Sequence, residues 1–309
     1  MSPVAGLSRP RPLAPGDRVA VVATSGPVRP DLLASGVEVL RGWGLVVDLA
    51  EHLRDAHPTL PFLAGSDADR AADLQRAWLD PEVAGVICAR GGYGAQRMVD
   101  LVDWDALAKV EPKVFAGSSD VTALHEAVAA RLGQVTFFAP MIGTTAFDEV
   151  AQAGLRSALL APEAGLVLTG PEAGALVPGV TGGTATGLLV GGNLSLLASS
   201  LGTSSSWPLP TGSILLLEDV EEEPYRLDRY LVQLDRAGYF DGVAGVALGS
   251  WVDCGPVEEV RAVLVDRLAG LGVPVGWEIG FGHCARQHTV PLGVQATLDA
   301  DAGTLTLLG

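Results

Sequence analysis

The sequence predicts an α/β protein built on a parallel sheet, followed by a second, smaller α/β domain. Two observations predict it. In the first half, short apolar runs without polar alternation, such as Val83-Ala84-Gly85-Val86-Ile87-Cys88, recur between helical stretches. Strands that read as unbroken apolar runs are buried on both faces, which is how parallel sheets covered by helices look. Past residue 160 the chain turns rich in Gly, Pro, Ala and Thr and loses helical periodicity, and then the alternation resumes. We therefore place an N-terminal domain at 1–160, an interdomain linker at 161–183 and a C-terminal domain at 184–309.

The elements follow in order. Residues 18–23 form a buried strand, and Thr24-Ser25-Gly26-Pro27 turns the chain into a helix ending at Gly44. A strand at 45–49 is followed by a helix at 67–79 capped by Ser66 or Asp67, whose oxygens satisfy first-turn amides. The third strand is 83–88. Strands at 114–116 and 135–138 flank a helix from about Asp120 to Leu132. After the linker come a strand at 187–190, a helix at 193–201, a strand at 213–217 and a helix at 226–237. A strand at 243–248, a helix at 257–271, a strand at 273–279 and a hairpin at 296–308, turning at Asp301-Ala302-Gly303, complete the chain. Gly91, Ser119 and Glu218 each follow an apolar run directly. They therefore sit at carboxyl ends of strands, where open parallel sheets form their sites.

Composition bounds the function. The 309 residues suffice for two domains, and 48% hydrophobic with 18% charged residues is an ordinary globular mixture. A net charge of −16 disfavours non-specific binding to nucleic acid or an anionic membrane, so an anionic substrate needs local arginines. Residues 1–16 show no apolar leader, and no run approaches a membrane span. Cys88, Cys254 and Cys284 are scattered and odd in number, which fits a reduced cytoplasmic protein. No Cys or His partners stand at zinc spacing, so no metal or other cofactor is expected.

The chemistry centres on Lys113-Val114-Phe115-Ala116-Gly117-Ser118-Ser119-Asp120-Val121-Thr122, a buried strand breaking into a helix. A hydroxyl on such a turn is lifted clear of the sheet beside the first helical amides, an arrangement suited to acyl transfer. Taken alone, Ser-Asp at a helix start is more simply an N-cap. Val121 also replaces the second glycine of Gly-x-Ser-x-Gly. Ser119 is the candidate nucleophile and needs a base, for which five histidines compete. His125 faces elsewhere on the helix, and His52 and His57 lie in a polar loop. His283 stands in the flexible turn Gly280-Phe281-Gly282-His283, and His288 competes on position. Glu218 ends a strand as a candidate orienting acid; Asp219 and 221–223 read as a solvated acidic turn, and Asp228-Arg229 as an ion pair. Gly91-Gly92 after Arg90 can aim successive amides at one point. Gly191-Gly192-Asn193 caps a helix.

Together these motifs resemble the LD-carboxypeptidase family of serine peptidases, which includes muramoyltetrapeptide carboxypeptidases and microcin C self-immunity peptidases. The likeness runs through Leu13-x-Pro15-Gly16-Asp17, Leu63-Ala64-Gly65-x-Asp67-x-x-Arg70-Ala71-x-Asp73-Leu74 and Ala89-Arg90-Gly91-Gly92-Tyr93-Gly94. It continues in Gly117-x-Ser119-Asp120-x-Thr122, Gly191-Gly192-Asn193-Leu194, Leu217-Glu218-Asp219, Tyr225-Arg226-Leu227-Asp228-Arg229, Gly282-His283 and Pro291-x-Gly293. The resemblance implies a Ser119–Glu218–His283 triad and an oxyanion hole from the amides of Asp120 and of Gly91 or Gly92. It implies a flavodoxin-like N-terminal domain and a cytoplasmic homodimer that needs no metal. The implied reaction releases terminal D-alanine from murein tetrapeptides in cell-wall recycling. Arg90, Tyr93, Arg229 and Arg286 are the candidate substrate contacts. Ser118, Phe137-Phe138-Ala139-Pro140-Met141 and Cys284-Ala285-Arg286-Gln287-His288 depart from the family pattern and bear on substrate more than on chemistry. The alternatives are a microcin C-type amidase acting on aminoacyl-nucleotide conjugates, with Trp207 and Phe138 as stacking candidates, and a catalytically silent muropeptide-binding protein.

Overall fold

A computed structural model describes residues 7–162 and 164–308. The reading of the chain's start falls partly on residues 1–6, outside the described residues. The first half runs β1 (Arg18–Val22), α1 (Pro30–Gly42), β2 (Val46–Leu49), α2 (Asp67–Leu79), β3 (Val83–Cys88), α3 (Ala95–Met98), α4 (Trp104–Leu107), β4 (Val114–Gly117), α5 (Thr122–Leu132), β5 (Thr136–Phe138) and α6 (Glu149–Leu160). The second runs β6 (Val167–Leu168), β7 (Gly174–Ala175), β8 (Thr184–Asn193), α7 (Leu194–Ser200), β9 (Ile214–Val220), α8 (Pro224–Arg236), β10 (Gly245–Val252), α9 (Val257–Leu268), β11 (Val275–Trp277), β12 (Val290–Leu292), β13 (Gln295–Asp299) and β14 (Thr304–Leu307).

The first sheet has the order β12-β5-β4-β3-β1-β2. Its five N-terminal strands are parallel, in the doubly wound order of flavodoxin-like folds. Val19, Val21 and Ile87 pack into one buried cluster and Val22, Val86 and Cys88 into another, so both faces are covered. This is why these strands show no polar alternation. Helix α2 begins where Ser66 Oγ accepts from the Asp69 amide at 3.1 Å, and it buries Ala71, Leu74, Ala77 and Trp78.

The second sheet has the order β6-β14-β13-β8-β9-β10-β11-β7. Helix α8 lays Leu227, Leu231 and Leu234, all fully buried, against it; each such burial contributes about 1.5–3 kcal/mol. Residues 161–183, read as a linker, contribute β6 and β7, which close opposite edges of this sheet.

Besides β6 and β7, the short helices α3 and α4, helix α6 and strand β12 escape the sequence reading. Helix α6 is capped by Asp148 Oδ1, which accepts from the amides of Val150 and Ala151 at 3.0 and 2.9 Å. Strand β12 pairs antiparallel with β5 and completes the first sheet from the C-terminal side. Its central Pro291 is compatible with a sheet edge, where a missing amide is tolerated. The expected Asp228–Arg229 pair is corrected: Asp228 binds Arg267 at 2.5 Å, while Arg229 lies over the Tyr225 ring at 5.4 Å. Among the described residues no helix is long and apolar enough to cross a membrane.

Candidate active site

A cavity of about 660 Å³ opens between the carboxyl ends of the first sheet and the end of β9. On the first sheet it lies at the switch point between β1 and β3, where doubly wound sheets leave a crevice. Ser119 lines it. The chain leaves β4 through an extended Ser118, and Ser119, with a left-handed φ of 59°, opens a short 3-10 turn that leads into α5. For a non-glycine residue that conformation costs on the order of 1–3 kcal/mol. It turns the Ser119 hydroxyl off the sheet.

The Arg90–Gly94 loop packs directly on this hydroxyl. A Cβ placed on Gly91 would lie 3.2 Å from Ser119 Oγ and 3.1 Å from Met141 Cε, so a side chain there would crowd the hydroxyl. Among the described residues neither Gly91 nor Gly92 donates its amide within the chain. Three contacts fix the loop. Gly26 donates its amide to Gly91 O at 3.0 Å. Asp120 Oδ2 accepts from the Ala95 amide at 2.7 Å, and Arg70, fully buried, donates to Gly94 O at 2.9 Å. Burial pushes the Asp120 carboxyl above the usual carboxylate range.

Across the cavity, His283 Nδ1 and Glu218 Oε2 lie 2.7 Å apart. Glu218, at the end of β9, is completely buried, while His283 is about one-quarter exposed. Gly282 has a φ of 97°, and a Cβ there would lie 2.7 Å from Glu218 Oε2. The backbone therefore presents the imidazole only because residue 282 lacks a side chain. Asn193 Nδ2 donates to Glu218 Oε1 at 3.2 Å and to Asp219 Oδ1 at 2.8 Å. Burial, then the neighbouring Glu218 charge, pushes Asp219 up to about 7. Burial alone would lower the His283 pKa. The Glu218 charge and hydrogen bond, with Asp219 and Glu221, outweigh it, and the net shift is upward. A hydroxyl and a carboxylate-oriented imidazole thus share one cavity.

The cavity also takes in Arg90, Gly91, Gly92 and Ser118. Tyr93, Arg229 and Arg286 are not among its lining residues; Tyr93 packs edge-on against Phe62, and Arg286 donates its amide to Asp148. His125 is buried beneath the turn, with Nε2 2.9 Å from Gly117 O, and burial holds its pKa down to about 4. His288 lies 2.9 Å from Thr169 O. Among the described residues no Trp, Tyr or Phe lines the cavity: Phe138 is buried against Phe281, and Trp207 packs on the second core. Among the described residues one His/Asp group at metal-ligand distances, His52, Asp55 and Asp69, lies outside the cavity. Residues the sequence reading missed are Arg29, Thr144, Thr145, Glu221 and Gln287. Arg29 lies seven residues past the end of β1 and Thr144 six past the end of β5, too far for the strand-end rule that found Gly91.

Fold and cavity define a two-sheet α/β protein with its candidate site between the sheets. Residues 19–139 match the LD-carboxypeptidase N-terminal domain and residues 186–298 the LD-carboxypeptidase C-terminal domain, and the chain belongs to this peptidase family. It is 57% identical over 303 residues to a putative carboxypeptidase of Streptomyces coelicolor, covering 97% of this chain and 96% of that protein. The crystal structure of a muramoyltetrapeptide carboxypeptidase from Oxalobacter formigenes is similar at 29% identity and TM-score 0.78, over 94% of this chain and 97% of that one. An MccF-like protein from Bacillus anthracis shares the fold at TM-score 0.86 and 24% identity, over 97% and 99% of the two chains.

Proposed function

We propose that the protein is a serine L,D-carboxypeptidase that releases terminal D-alanine from murein tetrapeptides. The observation that carries the proposal is the 2.7 Å His283–Glu218 pair in the cavity that Ser119 lines. Ser119 Oγ attacks the carbonyl carbon of the bond to D-alanine while His283 Nε2 takes its proton. Glu218, accepting from Nδ1, holds the tautomer and stabilises the imidazolium. The amides of Asp120 and of Gly91 or Gly92 hold the oxyanion. Collapse breaks the C–N bond, and His283 returns the proton to the departing D-alanine amine. Water then attacks the acyl-enzyme with His283 again as base, and Ser119 is regenerated.

The similarity to a muramoyltetrapeptide carboxypeptidase supports the murein substrate over a nucleotide conjugate, and so does a cavity without a stacking Trp, Tyr or Phe among its described residues. The cytoplasmic location, the homodimer and the place in cell-wall recycling belong to the same proposal and rest on family resemblance. The test is D-alanine release from a tetrapeptide, beside its L-alanine-terminated analogue and an aspartyl-adenylate sulfamate. Release from the D-alanine peptide alone is expected; exclusive cleavage of the nucleotide conjugate would transfer the site to the amidase reading. No turnover of any of the three, with binding of the tetrapeptide, would leave a muropeptide-binding protein.

A further inference from the structure

The two walls of the cavity carry opposite charge, and on each wall one charge is left uncompensated. On the first-sheet side Arg29 is taken up by Asp31, at 3.2 and 2.5 Å. Arg90 donates only to Pro27 O, at 2.7 Å, which leaves its charge without an acidic partner. On the second-sheet side Asp219 is enclosed by donors from Asn193, Ser195 and Val220. Glu222 is paired with Arg226 at 2.6 Å. Among the described residues Glu221 accepts no hydrogen bond and forms no ion pair, although its charge reaches His283.

The backbone singles out the same residue. Among the described residues five non-glycine positions hold a left-handed φ, and of these Ser119 and Glu221 line the cavity. Glu221 has φ 57°, fixed by its amide donating to Val252 O at 3.0 Å. A glutamate is strained in that region, where Gly or Asn would sit more easily. Strain of this kind collects at binding and catalytic positions.

We infer that Glu221 is the cavity's receptor for a substrate ammonium group, with Arg90 receiving the terminal carboxylate across the cleft. The inference rests on the reading proposed above and adds selectivity to it. The residue that donates the acyl group to Ser119 is then a diamino acid whose side-chain amine must be free. An amine already acylated, as in a cross-linked stem, has lost its charge and is rejected. A charge-assisted contact of this kind in a half-open cleft corresponds to a preference of about tenfold to a hundredfold.

The experiment measures kcat and KM for D-alanine release from three tetrapeptides that differ only in the penultimate residue: lysine, Nε-acetyl-lysine and norleucine. Norleucine keeps the four-carbon stem and lacks the ammonium group, and acetyl-lysine removes the charge and adds the bulk of acylation. The wild-type protein is expected to favour lysine over norleucine at least tenfold in kcat/KM, mostly through KM. Glu221→Gln is expected to bring that ratio near one by raising KM for the lysine peptide. Equal wild-type values for lysine and norleucine, or a preference that survives in Glu221→Gln, would overturn the inference and leave the carboxypeptidase reading standing. Failure of the wild-type protein to release D-alanine from any of the three would remove both.

Discussion

Ser118 and Ser119 both line the cavity, yet their backbones differ: Ser118 is extended and Ser119 is left-handed. Only Ser119 sits against the glycine loop, 3.2 Å from where a Gly91 Cβ would stand. Ser119→Ala is therefore expected to lower turnover by about 10⁴–10⁶-fold with an unchanged melting curve, while Ser118→Ala keeps most activity. A dead Ser118→Ala beside an active Ser119→Ala would move the nucleophile by one residue. The base predicts a pH profile. His283 must be neutral to accept the serine proton, and its pKa is raised above the ordinary imidazole value of 6.5. The kcat/KM profile should therefore still be rising above pH 6.5 and level off only past the raised pKa. A plateau already complete below pH 6 would exclude His283 as the titrating base. Ser119 and Glu218 were legible as candidates because each stands where an apolar run breaks, whereas His283 was separated from His288 by the family resemblance. The second role of Asn193 was not, because nothing local in Gly-Gly-Asn announces two carboxylates that arrive from another strand.

At the scale of elements, the junction of β8 and α7 joins capping to chemistry. Asn193 Oδ1 accepts from the Leu196 amide at 3.2 Å and caps α7, while Nδ2 serves Glu218 and Asp219. Its own amide donates to Thr122 Oγ1 at 3.0 Å, tying the junction to α5. Asn193→Ala removes a cap, worth about 1 kcal/mol, and a donor to two buried carboxylates, worth about 1–3 kcal/mol more. We expect a loss of several degrees in Tm and a fall in kcat of about 10–100-fold. Asn193→Ser should recover the capping share of the stability while kcat stays low, because a hydroxyl replaces the cap oxygen without replacing Nδ2. Full recovery of kcat in Asn193→Ser would mean that Glu218 needs no help from this side chain. Elements with a local period and a cap, such as α2 with Ser66, were readable from sequence to the residue. Helix α6 carries its signal in Asp148 and the spacing of Ala151, Leu155, Ala158 and Leu159, but its alanine-rich face blends into the segment that follows. Strand β12 is three residues long with a proline at its centre, so only its partner β5 defines it.

For the whole molecule, the two sheets are held together by contacts between distant parts of the sequence, which is why their joining was not legible. One of these contacts is electrically unfavourable. Glu126 on α5 is 6% exposed and borders a small cavity with Trp207, Val190 and Gly191 from the second half. Neither of its carboxyl oxygens, nor the nearby buried Tyr239 hydroxyl, completes a well-formed hydrogen bond, and the Ser200 hydroxyl and Trp207 backbone offset only part of the cost of burial. Burial pushes Glu126 from an ordinary 4.5 up to about 8. The unfolded chain releases this proton near 4.5, and the folded chain keeps it until about 8. Between those values the folded state binds more protons, so stability falls as pH rises, and it is level outside that window. Glu126→Gln keeps the shape and cannot ionise. Its Tm relative to wild type should therefore climb steadily from pH 5 to pH 8, by an amount corresponding to about 2 kcal/mol or more. Asp219 and Glu278, both pushed up to about 7 chiefly by burial, titrate in both proteins and cancel in that difference. The buried amide of Gln shifts the curve by a constant and leaves its slope. A Tm difference that stays flat from pH 5 to pH 8 would mean that Glu126 ionises at its ordinary value, with water reaching the seam between the sheets.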